Sequence, residues 1–202
     1  MKVLITCGAT WTRIDEVRVI SNISSGQMGH LIAEGFRRKG ARVTLIEGPV
    51  THAWTGPRIK VLKYCFFEEL AVLLNKELAN KYDIVVHAAA VSDFKVKEPL
   101  NGKLSSGKAL KLNLTATPKL IDKIKAQSPE SFLVGFKLET ALNPQTIFKT
   151  VKSLFTRSGC DLAVANSLKG GYKGFIMDAD GKILERAASK QSLAKALVNI
   201  LT

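Results

Sequence analysis

Cysteine is scarce in this chain: Cys7, Cys65 and Cys160 are odd in number and far apart over 202 residues. That excludes a disulfide framework and a Cys-x-x-Cys metal site, and leaves the three as small packing residues. Long apolar runs are missing as well. Hydrophobic residues make up 46% of the chain, yet no stretch approaches the ~20 residues that a bilayer span needs. Only Met1 and Lys2 precede the first apolar run, without the basic region, long apolar stretch and cleavage site of a secretory signal. The expectation is a soluble, cytoplasmic protein with no membrane partner.

Acids are few: 17 Asp and Glu against 30 Lys and Arg give a formal charge of +13, which favours an anionic partner. Aromatics are also few, at 7%, and they are not interleaved with the basic residues as a surface that stacks bases requires. Eight lysines and two acids lie between Lys95 and Lys125. That concentration suits a small polyanion in a pocket better than nucleic acid, and a merely solvated, soluble face is the plainer alternative.

Glycine is missing where a dinucleotide fingerprint needs it. Gly8 follows the first apolar run, but no glycine comes again until Gly26, so Gly-x-Gly-x-x-Gly is not formed. None of Tyr64, Tyr82 and Tyr172 has Lys four residues on, which argues further against nicotinamide chemistry. Gly102 to Ala109 nearly matches a phosphate-binding Walker loop, but Ala109 stands where a hydroxyl must reach magnesium, and no buried strand precedes it. His30, His52 and His87 are too scattered in sequence to suggest a metal cluster.

What is present is an alternation of strands and helices. Met1 to Cys7 reads as a buried strand, and Ser24-Ser25-Gly26 precedes a segment with Met28, Leu31, Ile32 and Phe36 at helical spacing. Free N–H groups and the positive end of that helix suit a phosphate, though two serines before a helix also serve as plain caps. Val43 to Ile46 and Ile59 to Leu62 are strands, with a helix over Glu68 to Leu78. Asp83 to Val91 is too apolar to have a wet side and belongs at the sheet centre. His87 within it is expected to be a satisfied core histidine. Ligands of open α/β sheets sit beyond the carboxyl ends of the strands, which places Gly8 and Ala90 to Phe94 at the mouth of a site.

Residues 95–108 turn to Lys, Pro, Asn, Gly and Ser and read as a mobile loop, a lid rather than a linker. Leu110 to Leu114 alternates as a strand, Thr117-Pro118 opens a helix, and Phe132 to Leu138 is a strand. Asn143-Pro144 caps a helix reaching about Phe155. Asp161 to Ala165 is a further strand, a hairpin pairs Tyr172 to Met177 with Lys182 to Leu184, and Ser189 to Leu201 is a closing helix. No internal repeat appears. The expected fold is α/β: a single Rossmann-like domain over 1–202, with a mostly parallel open sheet, helices on both faces and a C-terminal β-hairpin plus helix.

Several motifs in fixed order carry a resemblance. They are Gly8-Ala-Thr10 with Ile14-Asp15 and Arg18, Ser21 to Gly29, and Ala88-Ala-Ala-Val-Ser-Asp-Phe94. Further along come Lys103-Leu-Ser-Ser-Gly107, Thr117-Pro118-Lys119, Gly135 to Thr140 and Ala163-Val-Ala-Asn166. Together they resemble the phosphopantothenoylcysteine synthetase family along essentially the whole chain, in a stand-alone form without the decarboxylase domain that many bacterial members carry. The resemblance implies a ligase of coenzyme A biosynthesis that joins 4′-phosphopantothenate to L-cysteine, using CTP or ATP with Mg2+ as co-substrate. An acyl-nucleotide forms first with release of pyrophosphate, and cysteine's amine then displaces the nucleotide. It also implies a homodimer, to which the terminal hairpin is a candidate contributor, and a separate protein for the decarboxylation.

By position, the resemblance assigns catalysis to Asn22, which handles the acyl group, and to Lys103, which meets the α-phosphate. Gly8, Thr10, Ser24, Ser25, Gly26, Ala89, Ala90, Asp93 and Phe136 would bind the nucleotide, Asp93 reading the base. Lys108, Lys137, Lys149 and Lys152 are candidates for phosphate binding, and no protein metal ligand is implied. Ser105 and Ser106 stand where many bacterial members have lysines, and Lys137 replaces an alanine, so the choice between CTP and ATP stays open. A nucleotide- or nucleic-acid-binding protein without catalysis is the alternative.

Overall fold

The computed structural model describes residues 1–105, 107 and 109–202. An eight-stranded sheet runs β12-β11-β10-β9-β6-β1-β4-β5. Its strands are β1 (Lys2–Cys7), β4 (Arg42–Glu47), β5 (Ile59–Lys63), β6 (Ile84–His87), β9 (Phe132–Glu139), β10 (Leu162–Ser167), β11 (Lys173–Asp178) and β12 (Ile183–Ala187). Pairing is parallel from β5 across to β10 and antiparallel for β10-β11-β12. The fold is the mixed α/β sheet with a C-terminal hairpin and helix that the apolar runs imply.

The apolar residues alternate between two faces. Val3, Ile5, Val43 and Leu45 meet α1 (Gln27–Arg38) and α5 (Lys190–Leu201) on one side. Leu4, Ile46, Val85 and Leu133 meet α2 (Phe67–Leu78), α4 (Ile147–Thr156) and a 3-10 turn (Leu120–Lys123) that runs into α3 (Ile124–Gln127) on the other. Central strands thus carry apolar residues at successive positions because both sides are covered. Phe36, Leu70, Ile124 and Ile176 are fully buried, each worth roughly 1.5–3 kcal/mol relative to exposure.

Two small ribbons lie outside the main sheet. β2 (Trp11–Arg13) pairs with β3 (Val19–Ser21), and β7 (Phe94–Val96) pairs with β8 (Leu114–Ala116). The first ribbon falls where a loop is expected. The second corrects two expectations: Lys95 and Val96, expected in the loop, are strand, and the strand expected over 110–114 starts at Leu114. Three-residue strands carry too little periodicity to be seen in a sequence.

Two helix starts also move. Pro118 precedes the 3-10 turn rather than opening a helix, and α4 begins at Ile147, because Asn143 folds into a turn with its carboxamide oxygen accepting from Gln145 N–H at 2.9 Å. Asn-Pro here marks a turn before the helix.

Candidate active site

The chain runs from β1 outward to β4 and β5, then returns to the other side of β1 as β6. The direction of winding therefore reverses between β1 and β6, and the crevice beyond their carboxyl ends is where such sheets bind ligands. Gly8 and Ala88 to Asp93 occupy that crevice. Ala90 N–H donates to Gly8 C=O at 2.7 Å and Thr10 N–H to Ala90 C=O at 3.4 Å, so the two loops are laced together. Gly8 is required by shape. Its φ is +83°, and a Cβ there would lie 2.9–3.0 Å from the backbone of Gly48. Thr10, expected among the nucleotide contacts, lies beneath these loops. It is fully buried, and its hydroxyl accepts from Ser92 N–H at 2.8 Å.

Ser24-Ser25-Gly26 meets the same crevice from the side. Gly26 is the N-cap of α1 at φ +71°, where a Cβ would lie 2.2 Å from Val50 Cγ1. The hydroxyls of Ser24 and Ser25 accept from Gly26 and Gln27 N–H at 3.4 Å, long bonds that a better acceptor can replace. With no acid in the first turn and Arg37 and Arg38 in the last, the helix start is a positive, donor-rich end suited to phosphate oxygens.

Asn22 links this segment to β6. Its carboxamide nitrogen donates to the carbonyls of Ala90 and Val91, both at 3.2 Å. Both N–H bonds are used on fixed backbone, which leaves the exposed carboxamide's oxygen as the acceptor available to a substrate.

A cavity of about 170 Å³ opens beside this mouth, lined among others by Ala89, Asp93, Phe136 and Lys137. Asp93 and Phe136, expected from separate parts of the chain, thus share one wall. Ala90 is outside the lining and acts through its carbonyl. The cavity also holds Lys119 and Arg157, which the sequence reading did not assign. Lys119 forms an ion pair with Asp93 and Arg157 one with Asp122. The Thr117-Pro118-Lys119 motif was the signal for the first, and nothing in the sequence marks the second. Lys149 and Lys152 are exposed on α4 and are not among the cavity's lining residues, whereas Ser153, Leu154 and Arg157 are.

Lys103 is exposed on a segment tied to the turn between β2 and β3 by backbone and side-chain bonds at Leu100, Gly102 and Leu104. Lys108 lies outside the described residues, as does Ser106. A larger groove of about 540 Å³ runs along Lys63 to Leu73. It contains none of the candidate residues, and its one lysine is already ion-paired with buried Glu47.

Folding brings Cys7, His30 and Glu47 together, a grouping that their sequence separation hides. Glu47 is fully buried and accepts from Trp54 N–H at 2.9 Å, meets His30 Nε2 at 2.5 Å, and pairs with Lys63. Lys63 supplies the compensating cation, and burial pushes the Cys7 thiol up to about 12. We read the group as the brace of the Gly48 to Trp54 loop.

His87 is the core histidine expected. Its Nδ1 lies 3.0 Å from Thr6 Oγ1, and burial pushes its pKa down to about 4. Because the unfolded value is near 6.5, acidification protonates the unfolded chain first. Stability is therefore full above about pH 6.5, falls by as much as ~3 kcal/mol down to about pH 4, and then levels off in this contribution. Urea unfolding of the wild type and His87→Gln at pH 7.5, 6 and 4.5 checks this: the variant is expected to lose less stability over that range, and equal slopes would exclude the effect.

The chain is 45% identical over 170 residues to the coenzyme A biosynthesis bifunctional protein CoaBC of Thermococcus kodakarensis, covering 83% of this chain and 41% of that one. It is 34% identical over 211 residues to the CoaBC protein of Haemophilus influenzae, covering 98% and 50%. The chain thus spans about half the length of these curated relatives. Among solved structures, a DNA/pantothenate metabolism flavoprotein from Streptococcus pneumoniae shares the fold with a TM-score of 0.88 at 22% identity, covering 100% of this chain and 98% of that one. A Cab2 mutant in complex with phosphopantothenate-cysteine shares it with a TM-score of 0.79 at 18% identity, covering 99% and 85%. A family model matches residues 1–201, and the chain belongs to the family that model describes, the DNA/pantothenate metabolism flavoprotein C-terminal domain.

Proposed function

We propose that the chain is a ligase that joins 4′-phosphopantothenate to L-cysteine in coenzyme A biosynthesis, with CTP or ATP as co-substrate. The observation that carries this reading is Asn22. It is clamped to the carbonyls of Ala90 and Val91 between the α1 start and the Asp93 cavity, with its carboxamide oxygen unused by those bonds. Family membership and the names of the relatives support the substrates.

The chemistry follows from charge. A carboxylate is a poor electrophile with a poor leaving group, so its oxygen attacks the α-phosphorus, the bond to the β-phosphate breaks, and pyrophosphate departs. The amine then attacks the acyl carbon and nucleoside monophosphate leaves. Several anionic groups meet during the first step, and fixed cations with backbone N–H groups lower its barrier by electrostatic stabilisation and positioning. Ser24, Ser25 and the α1 N–H groups hold phosphate oxygens in this scheme, and Lys103 meets the α-phosphate. The Asn22 oxygen accepts an N–H of the incoming amine. Asp93, an acceptor-only group, reads an exocyclic amine, which both cytosine and adenine carry.

Mg2+ fits this scheme as a passenger of the nucleotide. It prefers several oxygen donors, and the one grouping of metal-binding side chains among the described residues, Cys7, His30 and Glu47, offers a single carboxylate oxygen beside sulfur and nitrogen. Phosphate oxygens would hold the ion, which supplies charge neutralisation there.

The chain is further proposed to act as a homodimer. Val17, Val19, Ile23, Phe94 and Leu114 are exposed on and beside the two ribbons, a better apolar surface than the terminal hairpin, where Leu184 is exposed. No helix among the described residues is long and apolar enough to cross a membrane.

Pyrophosphate release measured with each of the four nucleoside triphosphates, phosphopantothenate and cysteine tests the reading. Turnover that requires phosphopantothenate and favours CTP or ATP is expected. Absence of pyrophosphate with all four would overturn it. A non-catalytic nucleic-acid role instead predicts binding that weakens steeply and log-linearly with salt, without preference for a free triphosphate.

A further inference from the structure

The Ile14-Asp15 and Arg18 motif has no part in the chemistry above, yet Asp15 is a carboxylate only 2% exposed. Its carboxylate has two separate sets of donors. Oδ1 accepts from the N–H groups of Val17 and Arg18 at 2.9 and 2.7 Å, which closes the turn between β2 and β3. Oδ2 accepts from Leu104 N–H and from Arg18 Nη1, both at 3.1 Å. Arg18 Nη2 in turn donates to Leu104 C=O at 3.0 Å, so both backbone groups of Leu104 are held.

The same turn takes the chain on the other side of Lys103. Leu100 N–H donates to Ile14 C=O at 2.9 Å, and Glu16 N–H reaches Gly102 C=O at 3.5 Å. Lys103 is therefore bracketed at Gly102 and at Leu104 by one five-residue turn. The ribbon that carries this turn leaves β3 at Ser21 and delivers Asn22 one residue later. One ribbon thus carries Asn22 at its exit and grips the Lys103 segment at its tip.

We propose that Asp15 is a positioning residue for Lys103: its buried carboxylate, through the Leu104 N–H, sets the lysine-bearing segment in register with the ribbon that presents Asn22. The inference rests on the ligase reading, since Lys103 takes its role from it. Burial by itself would raise the pKa of the Asp15 carboxyl, but the N–H groups of Leu104, Val17 and Arg18 and the Arg18 charge outweigh it and hold it below the ordinary carboxylate value. The carboxylate is thus charged throughout the neutral range, as an acceptor of four N–H bonds must be.

Asp15→Asn separates the two sets of donors. With the amide oxygen kept on the turn, the new NH2 group faces Leu104 N–H and the guanidinium, donor against donor, so the turn persists while Lys103 is released. The test is a double-mutant cycle on the full chain, with pyrophosphate release as the readout, using Asp15→Asn, Lys103→Gln and both together. Misplacement of a reacting group by about 1 Å can cost on the order of 10²-fold. Asp15→Asn is expected to lower kcat by roughly tenfold to 10²-fold with KM for phosphopantothenate nearly unchanged, and to cost nothing further once Lys103 is Gln. Arg18→Lys, which keeps a charge beside Asp15 but loses the bond to Leu104 C=O, runs the same cycle if Asp15→Asn fails to fold. Independent, multiplying losses in both backgrounds, with Lys103→Gln itself impaired, would overturn the positioning role and leave the ligase reading standing. An unimpaired Lys103→Gln protein would overturn the catalytic assignment of Lys103 and this inference with it.

Discussion

An Asn22→Ala protein is expected to release about one pyrophosphate per active site and then stall, with amide formation slowed about 10²- to 10³-fold, the usual loss when one preorganised polar group is removed from a reacting centre. The reason is the division of labour within one carboxamide. Its nitrogen is used on the carbonyls of Ala90 and Val91, and its oxygen is oriented by that clamp. Alanine removes the acceptor proposed to guide the amine but leaves the α1 start and the Asp93 cavity intact, so acyl-nucleotide formation is expected to continue. Rapid-quench measurement of pyrophosphate against phosphopantothenoylcysteine separates the two steps. Asn22→Asp is expected to be no rescue, because a carboxylate cannot donate and would face two carbonyl oxygens. Equal loss in both half-reactions would show instead that Asn22 acts on nucleotide binding.

Replacement of Gly8 by valine is expected to lower stability by about 2–5 kcal/mol, from a left-handed backbone that costs about 1–2 kcal/mol and overpacking that costs about 1–3 kcal/mol. A β-branched residue at φ +83° is strained wherever it stands, and here its Cβ would press on Gly48 at 2.9–3.0 Å. Backbone meets backbone at that point, so no side chain can turn aside. The same shift breaks the bond from Ala90 N–H to Gly8 C=O and with it the platform of Asn22. Denaturant unfolding and pyrophosphate release are expected to fall together. A Gly8→Val protein with wild-type midpoint and turnover would show that the β1 and β6 loops are not coupled as described.

Much of the scaffold is legible from residue pattern because burial on two sides leaves a strong trace. Val3 to Ile5, Ile84 to Val86 and Leu162 to Ala165 are apolar at successive positions, which only a covered strand tolerates in water. Helix α1 shows itself through Ile32 and Phe36, and α5 through Ser189, which caps it by accepting from Ser192 N–H. The ribbons β2-β3 and β7-β8 escaped because three residues span less than two periods of alternation, too few to stand out from loop sequence. The crevice itself could be placed from Gly8 and Ala90 to Phe94, since strand ends and small residues are local features.

What the tertiary structure decided is which of these groups act together. Lys119 against Asp93, Arg157 in the same wall, and the withdrawal of Thr10 into the interior are consequences of the order in which strands lie side by side. So is the grip of Asp15 on Leu104, across 89 positions of sequence. Hydrophobic periodicity is written in neighbours three or four residues apart, and a sequence displays it openly. Hydrogen bonds between distant loops depend on the winding of the sheet, which reverses between β1 and β6 and thereby creates the one place where Gly8, Asn22 and Asp93 gather. The residues by themselves determined an α/β sheet with a basic, phosphate-ready helix end; the closing of the chain around that reversal determined how those residues become a site.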